Sequence, residues 1–138
     1  MSNLHEECGI FGIFSENRQN VAETVYYGLF ALQHRGQESC GIVVNDDGIF
    51  RDYKDNGLAH EVFTRHVLEN LGPGNMAIGH DRYSTTGANE RINAQPIVVN
   101  HHKGRMALAH NGNLINSFEL RQSLEAEGSI FHTTSDTE

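Results

Sequence analysis

The four residues Asn45-Asp46-Asp47-Gly48 stand between two short apolar runs, 41–44 and 49–53, and commit this part of the chain to a β-hairpin. Asn, Asp and Gly tolerate the left-handed backbone that a tight hairpin turn needs. Further short apolar runs extend that reading. Gly9-Ile10-Phe11-Gly12-Ile13-Phe14, bounded by polar residues, reads as a buried strand with Cys8 at its leading edge, and 76–80, 97–100 and 106–110 read as three more strands.

Helical spacing separates these runs. Val21, Val25, Leu29 and Leu32 predict a helix from Asn20, a suitable N-cap, to about Gln33, where His34-Arg35-Gly36 can end it. A short helix is expected within 58–71, stopped by Gly72-Pro73-Gly74, and another from Asn116 or Ser117 to about Leu124, ending before Gly128. No internal repeat, low-complexity tract or long linker divides the chain, so the pattern implies one domain in which helices and sheets form layers.

The 138 residues suffice to bury a core, and no apolar run approaches the roughly 20 residues of a membrane-spanning helix. Eighteen Asp and Glu against ten Lys and Arg give a formal charge of -8, which repels phosphate backbones and argues against nucleic acid as a partner. Cys8 and Cys40 are the only cysteines, and the first residues lack the basic start and apolar stretch of a secretory signal. Both features suit a reducing cytoplasm better than a disulfide scaffold.

A cysteine at the head of a buried strand is, on position alone, an ordinary small core residue. Four other segments change that reading. Gln33-His34-Arg35-Gly36-Gln37-Glu38-Ser39, Gly79-His80-Asp81-Arg82-Tyr83-Ser84-Thr85-Thr86-Gly87, Ala109-His110-Asn111-Gly112-Asn113-Leu114 and Thr133-Thr134-Ser135-Asp136-Thr137-Glu138 follow Cys8-Gly9-Ile10-Phe11-Gly12 in a fixed order. Together they resemble the glutaminase domain of the class II glutamine amidotransferases, a branch of the N-terminal nucleophile hydrolases. The forms of the second, fourth and fifth segments most resemble the amidophosphoribosyltransferase group, which makes phosphoribosylamine from phosphoribosyl pyrophosphate in purine synthesis. The resemblance covers residues 8–138 and implies an α+β fold, a four-layer αββα sandwich with mainly antiparallel sheets, here C-terminally incomplete.

Hydrolysis of an amide through a covalent intermediate needs a nucleophile, a base, donors for the developing oxyanion and contacts that hold the substrate. An N-terminal cysteine carries two of these on one residue, because a free α-amine with pKa near 8 can take the thiol proton and pass it to departing ammonia. The resemblance therefore implies that residues 1–7 are a leader removed between Glu7 and Cys8. It implies that the Asn111 side-chain amide and the Gly112 N–H form the oxyanion hole, although Asn-Gly by itself is a common turn. It assigns Arg82 to the α-carboxylate of L-glutamine, Asp136 to its α-ammonium and Thr85 to a hydroxyl contact. It sets Arg35 and Gly36 beside the nucleophile, with an arginine satisfying helix C-terminal carbonyls as the competing account.

Cys40 reads as packed rather than catalytic. Nine histidines are scattered, with His101-His102 the only adjacent pair; successive strand residues face opposite ways, so no metal site is expected. Full-length members of the group continue into a phosphoribosyltransferase domain and are expected to be homo-oligomers, with magnesium and, in members with such a leader, often a 4Fe-4S cluster held by parts beyond these residues. This segment itself is expected to hold no cofactor, and its uncovered sheet edges and apolar faces favour association. Two other functions fit the same residues: a glutamine- or partner-binding fragment without turnover, and an amidase for another small amide.

Overall fold

The computed structural model describes residues 8–83 and 91–138. Its main sheet has four antiparallel strands: β1 (Gly9–Gln19), β2 (Ser39–Asp46), β3 (Ile49–Asn56) and β4 (Gly74–Arg82), in the order β1-β4-β2-β3. The expected hairpin joins β2 to β3 through Asp47 and Gly48, whose φ angles of 50° and 90° supply the two left-handed positions of a tight turn. A second, two-stranded antiparallel sheet is formed by β5 (Ile97–His101) and β6 (Gly104–Leu108).

Helix α1 (Val21–Leu32) lies on one face of the main sheet. Its apolar stripe of Val21, Ala22, Val25 and Leu29 is buried, and packs with Ile42, Val44 and Ala77 from the strands. Asn20 precedes the helix as predicted, but its side chain does not cap a backbone N–H; Nδ2 donates to Glu23 Oε2 at 2.7 Å instead. Helix and sheet approach closely because each offers a glycine to the other. A Cβ on Gly28 would stand 2.3 Å from Phe11 Cγ, and one on Gly79 would stand 2.5 Å from Val25 Cγ1 and 2.9 Å from Leu29 Cδ1.

The single helix expected within 58–71 is two: α2 (Ala59–Val62) and α3 (Arg65–Leu71). Thr64 breaks the run in extended conformation and starts α3 afresh, its Oγ1 accepting from Val67 N at 3.4 Å. Arg51 of β3 ties α3 to the sheet, donating through Nε to the Leu71 carbonyl and through Nη2 to that of Pro73, both at 2.6 Å. On the other face of the main sheet, the guanidinium of Arg105 in β6 lies 5.4 Å from the Phe50 ring centroid, and Ala107 shares a cavity with Val43, Phe50, Met76 and Ile78. The layers so far are helix, sheet, sheet. Helix α4 (Ser117–Ala126) follows; none of its residues is buried, and Ile115, Phe118 and Ile130 are among the exposed apolar side chains around it.

Two neighbours near the end of β4 are buried and polar. His80 and Asp81 are both 0% exposed, and the Asp81 carboxylate has no hydrogen-bond partner among the described residues. Burial pushes the Asp81 carboxyl up to about 7 and the His80 imidazole down to about 4, so both are neutral between those values. The consequences for stability oppose each other. A neutral buried imidazole costs stability as pH falls below 6.5 towards 4, whereas a neutral buried carboxyl costs stability as pH rises from about 4 to 7.

Two outcomes follow from this packing. Gly79→Ala should lower unfolding free energy by about 1–3 kcal/mol, read from denaturant midpoints, because the added methyl overpacks the α1 contact. Asp81→Asn should gain stability relative to the parent as pH rises from about 4 to 7 and level off above, by about 4 kcal/mol at most. Urea midpoints across that range check it, and a difference constant with pH would show that Asp81 ionises as it does in water.

Candidate active site

The site assembles where β1 begins and β4 ends. Gly9 pairs with Asp81, so Cys8 lies alongside the last residues of β4. Its sulfur is fixed by the backbone of Tyr83: the Tyr83 N–H donates to Sγ at 3.3 Å, and Sγ lies 3.4 Å from the Tyr83 carbonyl as a donor. Cys8 is half-buried, within reach of both the core and solvent.

Arg35 stands between the end of α1 and Cys8. Its backbone N–H closes the C-terminal turn of α1 by donating to the Leu32 carbonyl at 2.8 Å, while its side chain donates through Nε to the Cys8 carbonyl at 3.3 Å. The loop can run this close to β4 because Gly36 is buried with no side chain; a Cβ there would lie 2.7 Å from both the carbonyl carbon and the oxygen of Asp81. Gln33, which the sequence reading passed over, straps the loop: Nε2 donates to the Gly36 carbonyl and Oε1 accepts from Ala59 N, each at 2.5 Å.

Asn111 arrives from 103 residues away. Its Nδ2 donates to the Cys8 carbonyl at 2.6 Å, and exposed Gly112 follows it directly. Asp136 Oδ2 accepts from Leu114 N at 2.7 Å, which ties the segment carrying Asn111 to the segment carrying Asp136. The latter segment is itself closed by Glu138, whose carboxylate accepts from His132 N at 2.8 Å and Thr133 N at 2.7 Å. Arg82 ends β4 opposite Ser39; its Nη1 is buried and has no hydrogen-bond partner among the described residues. A buried guanidinium nitrogen left in this way is suited to an anionic group of a ligand. Thr85 and the leader lie outside the described residues.

Cys40 sits in the core at 1% exposure, and its sulfur donates to the Gly57 carbonyl at 3.6 Å. Burial, with Asp81 next, pushes its thiol well up, so it stays protonated. The argument from strand alternation fails for the histidine pair: His102 lies in the turn after β5, and the two rings come within 4.1 Å, centroid to centroid. Among the described residues no group of three or more His, Cys, Asp and Glu is placed to hold a metal ion. Two buried amides, Asn93 and Gln95, were also passed over; nothing in their local sequence marks them, since their partners are some 40 residues away in Thr134 and Thr137.

The chain resembles known proteins over nearly its full length. Amidophosphoribosyltransferase of Methanocaldococcus jannaschii is 53% identical over 95% of this chain and 28% of that protein, and amidophosphoribosyltransferase of Bacillus subtilis is 47% identical over 100% of this chain and 29% of that protein. Among solved structures, one described as the allosteric regulatory enzyme of purine biosynthesis superposes with a TM-score of 0.85 at 46% identity, covering 93% of this chain and 27% of that one. The glutamine phosphoribosylpyrophosphate amidotransferase of B. subtilis, complexed with ADP and GMP, gives 0.82 at 45%, again over 93% of this chain and 27% of that one. The fold is therefore the α+β, mainly antiparallel arrangement expected from the sequence. The chain spans 27–29% of the length of these proteins. A sequence family described as glutamine amidotransferase domain matches residues 66–138, more than half of the chain, which belongs to that family.

Proposed function

We propose that this chain is the glutamine-hydrolysing portion of an amidophosphoribosyltransferase, with Cys8 as nucleophile once residues 1–7 are removed. The observation that carries the reading is the Asn111 amide, which reaches across the fold to the backbone of Cys8 at 2.6 Å. That contact sets the amide beside the proposed nucleophile, where a donor for the oxyanion is needed.

In the proposed reaction the Cys8 α-amine takes the thiol proton, and Sγ attacks the side-chain carbonyl carbon of glutamine. The carbonyl π bond opens to an oxyanion, which the Asn111 Nδ2–H and the Gly112 N–H receive. Collapse of that intermediate breaks the C–N bond, the ammonium form of the α-amine returns its proton to the leaving nitrogen, and ammonia departs. Water then cleaves the resulting thioester to glutamate and the thiol. Arg82 binds the α-carboxylate, for which its buried Nη1, without a hydrogen-bond partner among the described residues, is suited, and Asp136 binds the α-ammonium. Arg35 fixes Cys8 through its carbonyl, Gly36 gives the loop its close approach, and Thr85 adds a hydroxyl.

The remaining partners are part of the same proposal. Ammonia passes to a phosphoribosyltransferase domain, where it forms phosphoribosylamine. Magnesium, and any iron–sulfur cluster, belong in this reading to parts of a longer, homo-oligomeric protein outside these residues. No helix among the described residues is long and apolar enough to cross a membrane, in keeping with a cytoplasmic site of action.

Four measurements on the intact protein test the reading. Mass spectrometry of active protein should find Cys8 at the N-terminus, and a chain that turns over glutamine with residues 1–7 attached would contradict the amine's role. A glutamine-like diazoketone should label the Cys8 sulfur, and Cys8→Ala should lose glutaminase activity by at least about 10³-fold. Arg82→Ala should raise KM for glutamine by roughly 10- to 100-fold, the loss of a charge-assisted hydrogen bond worth about 1.5–3 kcal/mol.

A further inference from the structure

We infer that Gln95 is a positioning residue that holds the oxyanion side and the ammonium side of the glutamine pocket in a single register. The inference rests on the roles proposed above for Asn111 and Asp136. Gln95 is 6% exposed, and both ends of its amide are used. Oε1 accepts from His110 N at 2.7 Å, and Nε2 donates to Thr137 Oγ1 at 3.1 Å. His110 immediately precedes Asn111, and Thr137 immediately follows Asp136. One planar amide therefore spans the two segments, each within one residue of a group that touches substrate.

The amide is itself held to the main sheet. Lys54 of β3 donates through Nζ to the Ala94 carbonyl at 2.7 Å and to the Pro96 carbonyl at 3.4 Å, one on each side of Gln95. The Gln95 carbonyl lies against Gly41 of β2, where a Cβ would be 2.2 Å from the oxygen. Asn93, 4% exposed, makes a parallel pair of bonds: Nδ2 donates to Thr134 Oγ1 at 2.8 Å and Oδ1 accepts from Thr134 N at 3.0 Å. The segment from Asn93 to Pro96 is thus a bracket, fixed to β2 and β3 by its backbone and gripping the Asp136 segment by its side chains. Water cannot readily replace these bonds at such burial, so breaking one lets the pocket wall shift.

A buried amide that merely satisfied nearby backbone would affect stability alone. A positioning amide also affects selectivity for the α-amino group, because Asp136 moves relative to Asn111. The test compares kcat/KM for glutamine with that for 4-carbamoylbutanoate, which is glutamine without its α-amino group. It uses the intact protein with Cys8 at its N-terminus. Thr137→Val removes the hydroxyl while keeping the shape, and should reduce the preference for glutamine by roughly 10- to 100-fold, the effect of a displacement of about 1 Å. Thr137→Ser keeps the hydroxyl and should retain the preference. Gln95→Met should reduce the preference and also lower kcat, since it releases the Asn111 side as well. If Gln95→Met fails to fold, the Thr137 pair still decides. Asp136→Asn serves as the reference. Loss of preference there with parental preference in Thr137→Val overturns the inference and leaves the assigned roles standing; no loss in Asp136→Asn overturns both.

Discussion

The contact between α1 and the main sheet is the interaction on which the rest of the molecule depends. Val21, Val25 and Leu29 enter the same buried cluster as Ile42, Val44 and Ala77, and the exchange of Gly28 and Gly79 lets helix and strands meet at a separation no larger residue would permit. That separation determines where the helix ends. Arg35 and Gly36 leave α1 directly over β4, so the loop that braces the cysteine is aimed by the hydrophobic packing along α1. The polar bonds of Gln33 and Arg35 refine a position that apolar burial has already set.

The opposite face of the sheet is organised by different physics. There the segments flanking the second sheet are held by a few apolar contacts and by polar side chains that bond backbone groups: Lys54 to Ala94, Asn93 to Thr134 and Gln95 to His110. Such bonds are directional, and each member of the chain is nearly fully satisfied. The two sides of the candidate site thus differ in kind, Cys8 seated beside a hydrophobic layer and the segments of Asn111 and Asp136 held by a hydrogen-bonded bracket.

This division explains what could be read from the sequence. Helix α1 and the β2–β3 hairpin were legible because their signals are local: a 3.6-residue stripe in one, Asp47-Gly48 in the other. The break between α2 and α3 carried a local signal too, in Thr64 as an N-cap, which the reading of one helix within 58–71 did not use. His101-His102 was misjudged because strand alternation was carried one residue into a turn. The meeting of Cys8 with Arg35 and Asn111, and the tie of Asp136 to Leu114, have no spacing rule behind them; only likeness to a family pointed to these residues, and the bracket residues Asn93 and Gln95 carried no motif at all. Their importance arises from contacts across some 40 residues, which a single sequence does not encode in any short window.

One property of β4 bears on how a protein of this kind can change. Its residues His80, Asp81 and Arg82 alternate between the two sides of the sheet, and β4 is hydrogen-bonded to a neighbour along both edges. Inserting or deleting one residue within it would exchange the two sides wholesale, sending the acid into the second sheet and turning the arginine onto the helix. Lineages can therefore revise this site by replacing side chains, whereas changes in length are confined to the connections on either end.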